Sequence, residues 1–92
     1  MGPTVVESIA QEAERLINGD RREAYGPVSE SFERIAQIWS GVLGQKVSAT
    51  QVAHCMIGLK LYREANKHQR DNLVDICGYS LLAEKLNAAI PS

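Results

Sequence analysis

Aromatic side chains are scarce, with one Trp, one Phe and three Tyr among 92 residues. Cysteine is scarcer still. Cys55 and Cys77 are the only two, they stand far apart in apolar helix-like surroundings, and no CxxC pair is present. A disulfide framework is therefore excluded, and with only His54 and His68 to join them neither cysteine has the short ligand spacing that structural zinc uses. Both read as small core residues. An excess of positive charge is missing too: ten Lys and Arg face eleven Asp and Glu, a net charge of −1, and no basic run occurs. Tracking along a nucleic-acid backbone is not expected, so any anion binding must rest on a local cluster. No apolar stretch reaches membrane-spanning length and no signal-peptide pattern is seen, which makes a soluble, cytoplasmic protein the expectation, without a membrane partner.

What is present is a foldable composition, 45% apolar with nearly balanced charge. Residues 1–92 read as a single helical domain, too short to bury a large core alone, so association with further copies is expected. Thr4-Val5-Val6-Glu7 matches a capping box, followed by Val6, Ile9, Ala13, Leu16 and Ile17 at helical spacing and the stop Asn18-Gly19. Pro27 opens a second helix whose stripe is Val28, Phe32, Ile35, Ala36, Trp39, Val42 and Leu43, and Gly44 ends it. Ser48-Ala49-Thr50-Gln51 is another capping box, opening a third helix to about Asn66 with an unusually wide apolar arc of Val52, Ala53, Cys55, Met56, Ile57, Leu59, Leu61 and Tyr62. The fourth starts near Arg70 or Asp71 and runs toward Pro91. Short connections predict an all-α, four-helix antiparallel bundle, completed by homo-oligomerisation.

The polar residues of the last two helices do not fit a bland bundle. Asp71, Asp75 and Tyr79 follow at i, i+4 and i+8, with Asn72 three before Asp75, so the pattern predicts one polar stripe. Lys60, Arg63 and Lys67 form a basic stripe on the preceding helix, and His68 and Arg70 extend it across the turn. Interhelical salt bridges at the surface would account for any single pair. Together the stripes also suit a phosphorylated ligand, since cations hold phosphate oxygens and carboxylates hold ribose hydroxyls or Mg2+. Earlier in the chain, Arg21 and Arg22 precede Tyr25-Gly26-Pro27, whose tyrosine is a candidate stacking surface for a base. Glu30 and Glu33 have ExxE spacing, which also suits the first turn of a helix without any metal.

The order "GDRREAYG", "FERIAQIWSGVLG", "VSATQVAHCMIGLKLYR", "RDNLVDICGY" resembles a family of small phage and prophage proteins from about Gly19 to Leu82. That family is distantly similar to the MazG-type and dimeric dUTPase-like all-α nucleoside triphosphate pyrophosphohydrolases, and to a nucleotide-modification-associated helical domain. The hydrolase resemblance implies Mg2+ held by ExxE on one helix and ExxD on a later one. Glu30 and Glu33 match the first, whereas Asn72 and Asp75 match the second with an amide in place of a carboxylate.

Three functions follow as expectations. In the first, the chain binds or sequesters a phosphorylated nucleotide, such as a host immune signal in the bacterial cytoplasm. Lys60, Arg63 and Arg70 then hold phosphates, Asp71, Asn72 and Asp75 hold ribose or base edges, and Tyr25 or Tyr79 stacks; Arg21, Arg22, Lys67 and His68 complete the cluster. The second is a Mg2+-dependent (d)NTP pyrophosphohydrolase with Glu30, Glu33, Asp71 and Asp75 as metal ligands. The third is a helical adaptor that uses the wide apolar arc to bind a protein.

Overall fold

Ser8 begins the first helix. Its hydroxyl accepts from the Gln11 N–H at 3.1 Å, while Gln11 Oε1 accepts from the Ser8 N–H at 2.9 Å. This reciprocal capping box satisfies two otherwise orphaned donors. The computed structural model describes residues 6–20 and 28–88. Helix α1 spans Ile9–Arg15 and continues as one π-helical turn, Leu16–Asp20. The start is therefore Ser8 and not Thr4, which lies outside the described residues. Glu7, expected to close the earlier box, precedes the helix and accepts from Arg15 Nε at 3.1 Å instead.

Helix α2, Val28–Leu43, ends where expected, at Gly44 with φ of 68°, a conformation open to glycine and costly for other residues. Ser40 fastens the connection that follows: its hydroxyl donates to the Ala36 carbonyl at 2.7 Å and accepts from the Val47 N–H at 2.8 Å. Helix α3, Ala49–Asn66, carries the expected Ser48/Gln51 capping box. Helix α4 is Arg70–Ala88. No strand occurs among the described residues, and none of their helices is long and apolar enough to cross a membrane.

Helices α3 and α4 form the central antiparallel hairpin, with residue 60 opposite 75 and residue 64 opposite 72. Phe32 and Ala36 of α2 pack into it against Ala49, Val52, Ala53, Leu82 and Leu86, with Trp39 partly buried at the edge. Alanines at three of these positions let the helix backbones approach closely. On the other flank α1 advances along α4 in the same direction, since Glu12 meets Arg70, Ile17 meets Gly78 and Asn18 meets Lys85. The all-antiparallel order expected from short connections thus fails for this pair, because residues 21–27 separate α1 from α2 and relax that constraint.

At Gly78 α1 packs on α4 at ordinary van der Waals distance: a Cβ there would lie 3.4 Å from Ile17 Cδ1, so a small residue is accommodated and glycine is not required. Gly58, by contrast, faces open space, so no close crossing explains it. Cys55 is exposed and Cys77 half-buried, which corrects the reading of both as core. The wide apolar arc of α3 is real but only partly covered, with Leu59, Leu61 and Tyr62 exposed beside buried Val52 and Ala53.

Candidate functional site

The basic stripe of α3 and the acidic stripe of α4 do meet. Lys60 Nζ lies 2.9 Å from Asp75 Oδ2, and the two side chains are only 15% and 13% exposed. This ion pair forms the floor of a groove of about 400 Å3 between the helices near their connecting turn. Arg63 and Lys67 line one wall and Asp71 and Asn72 the other, and Tyr62 also lines the groove. Arg63, Lys67 and Asp71 are exposed, whereas Asn72 is buried at 6%.

Asn72 is buried because the turn needs it. Its Nδ2 donates to Glu64 Oε1 at 3.2 Å and reaches the Lys67 carbonyl at 3.5 Å. Glu64 also accepts from the Gln69 N–H at 3.0 Å and pairs with His68 Nδ1. The hydrogen bond from His68 holds the Glu64 carboxyl below its ordinary range, helped by the Gln69 N–H. Glu64 is the residue that stripe reasoning missed. Its i, i+4 spacing to His68 is the signal the sequence carries for it, and Glu64 stands on α3 among cations, outside the acidic stripe of α4.

Several expected ligands are committed elsewhere. Arg70 turns toward α1, donating from Nη1 to Glu12 Oε2 at 2.9 Å and from Nη2 to the Glu7 carbonyl at 2.6 Å. His68 is engaged by Glu64. Tyr79 packs its ring on Phe32, centroids 5.9 Å apart and tilted by 38°, and so joins the core. The single polar stripe of α4 therefore divides, because α4 is flanked by α3, α1 and α2 and only part of it faces the groove. Arg21, Arg22 and Tyr25 lie outside the described residues.

The α2 carboxylates do not join the groove. Glu30 is exposed and pairs with Arg34 at 3.5 Å. Glu33 lines a separate cavity of about 600 Å3 at the α2–α3 corner, shared with Lys46, Thr50 and Leu86. Leu86 is 15 residues beyond Asp71 on α4, or roughly 22 Å along the helix. Among the described residues no group of three or more His, Cys, Asp or Glu side chains is placed to hold a metal ion.

Fold and groove together define a small all-helical protein with a charged, tyrosine-lined groove beside one helix turn. The chain belongs to the family described as Domain of unknown function (DUF6378), which matches residues 8–87. It is similar to the Gene 55 protein of Mycobacterium phage D29, 40% identical over 81 residues that cover 87% of this chain and 54% of that protein. The Gene 55 protein of Mycobacterium phage L5 is 41% identical over 81 residues, 86% of this chain and 52% of that one. The chain thus spans about half the length of these relatives. No solved structure matches it. The phage relationship expected from the motif order is established by these matches.

Proposed function

We propose that this phage-family protein binds a phosphorylated nucleotide in the α3–α4 groove and holds it without turning it over. One observation carries the reading: Arg63 and Lys67, both exposed and without an ion-pair partner among the described residues, line a groove whose other wall offers Asp71. Guanidinium and ammonium groups suit phosphate oxygens, and a carboxylate suits a ribose hydroxyl. The Lys60–Asp75 pair below keeps the walls in register. For a phage protein, sequestration of a host nucleotide signal is the role this reading carries.

The pyrophosphohydrolase alternative needs acids of α2 and α4 around Mg2+. Within one chain Glu30 and Glu33 do not fit that requirement, since they stand apart from Asp71 and Asp75. Self-association has an observation of its own. Ile38, Val42 and Leu43 of α2 are 64%, 79% and 63% exposed, an apolar patch that a second copy would cover. Light scattering on the wild type and on Ile38→Glu/Val42→Glu tests it: the reading requires an oligomer that the double variant dissociates.

The binding reading is tested by incubating pure protein with nucleoside mono-, di- and triphosphates and cyclic or ADP-ribose-type nucleotides, with and without Mg2+. The supernatant is analysed by chromatography before and after heat denaturation. Depletion followed by release of intact ligand supports sequestration; release as monophosphate plus pyrophosphate replaces it with the hydrolase, and no depletion removes both.

A further inference from the structure

The groove carries enough detail to narrow its ligand. Resting on the binding reading above, we infer that it selects a nucleotide bearing one phosphate, as a monoester or a diester, with its base stacked on Tyr62. Charge comes first. Lys60 is matched by Asp75 within the groove, Arg70 is drawn away to Glu12 and Glu7, and His68 is held by Glu64. Within the groove this leaves Arg63 and Lys67 as the cations that meet a ligand, facing the carboxylate of Asp71. One phosphate, carrying roughly 1 to 2 negative charges, is matched by two cations. A triphosphate brings more negative charge than these two cations meet and sets it against Asp71.

The groove, about 400 Å3, falls within the range of small-ligand sites. Stacking decides the other half of the ligand. Tyr79 is spent on Phe32 and Trp39 packs against the core, but Tyr62 lines the groove with its residue 71% exposed. An aromatic ring left this open at the mouth of a charged groove offers a base an apolar face beside cations that hold its phosphate. In the sequence Tyr62 belongs to the wide apolar arc of its helix and not to the polar stripes.

Calorimetry tests this with adenosine, AMP, a phosphodiester-linked dinucleotide and ATP, each without Mg2+, against the wild type, Tyr62→Phe and Tyr62→Ala. Circular dichroism checks that each variant is folded, which the exposure of Tyr62 favours. AMP or the diester binds more tightly than ATP, adenosine binds weakly, and Tyr62→Ala loses about tenfold or more in affinity while Tyr62→Phe keeps it. If ATP binds tightest, or if Tyr62→Ala binds like the wild type, the inference is wrong although nucleotide binding stands. If no nucleotide binds the wild type, the binding reading itself fails.

Discussion

Lys60 of α3 and Asp75 of α4 meet at 2.9 Å with both side chains largely withdrawn from water. A pair in this position does more than join two helices. It fixes which residues of α3 stand opposite which of α4, and so places Arg63 and Lys67 across from Asp71 and Asn72.

Removing one partner leaves the other charge partly buried. Lys60→Met is expected to cost about 2–4 kcal/mol, near the lower edge for buried pairs because both ends retain some solvent. Replacing both, in Lys60→Met/Asp75→Leu, recovers part of that loss. Urea midpoints give the values; a single-variant cost below about 0.5 kcal/mol would class the pair with ordinary surface bridges.

The Glu64 carboxyl, held low chiefly by His68 and then by the Gln69 N–H, makes the α3–α4 turn acid-sensitive. A carboxyl whose folded pKa is depressed contributes stability above its unfolded pKa, and that contribution is lost as pH falls through the folded value. Glu64→Gln should therefore melt below the wild type at neutral pH. The two melting curves should converge as pH drops beneath the ordinary carboxylate range; a gap independent of pH would contradict this.

At Gly78 two effects of opposite sign compete. Alanine in a helix interior gains about 1 kcal/mol over glycine, and its Cβ would meet Ile17 Cδ1 at 3.4 Å, an ordinary contact. Gly78→Ala is thus expected to be neutral or to stabilise by up to about 1 kcal/mol. Gly78→Leu has no such room and should cost about 1–3 kcal/mol by pushing α1 off α4. Thermal or urea unfolding of both variants decides it.

Arg70 is assigned to the seam between α1 and α4 through Glu12 and the Glu7 carbonyl. Arg70→Ala should speed amide hydrogen exchange across Ile9–Arg15 while leaving Val52 and Leu82 protected. Uniform acceleration across all helices would show instead that Arg70 supports the whole fold.

Much of this was legible in the residues. Ser48 with Gln51, Gly44 and the apolar periods of α2 specify local structure through local chemistry, and those boundaries hold. That the basic stripe of α3 and the acidic stripe of α4 face each other was also readable, because a short turn makes antiparallel neighbours of the helices on either side; the particular pairing of Lys60 with Asp75 was not. Pairings across long sequence separation were not. Arg70 finds Glu12 at a distance of 58 residues, which withdraws it from the groove, and Gly78 finds Ile17 across the same seam. Tyr79 and Tyr62 exchanged places for a related reason: helical spacing gives the face of a helix, but which face is covered depends on where α1 and α2 dock.

On the proposed function, Arg63 and Lys67 hold the phosphate of a nucleotide in the α3–α4 groove. The most direct measurement is the affinity of the wild type and of Arg63→Glu/Lys67→Glu for AMP at low and physiological salt, with circular dichroism as a check on folding. Both side chains are exposed and lack ion-pair partners among the described residues, so the double variant should fold normally. AMP should bind the wild type in a salt-sensitive manner and lose about a hundredfold or more in affinity for the variant, from two charge-assisted contacts turned repulsive. Equal affinity for both proteins, or no binding to either, would contradict the proposed function.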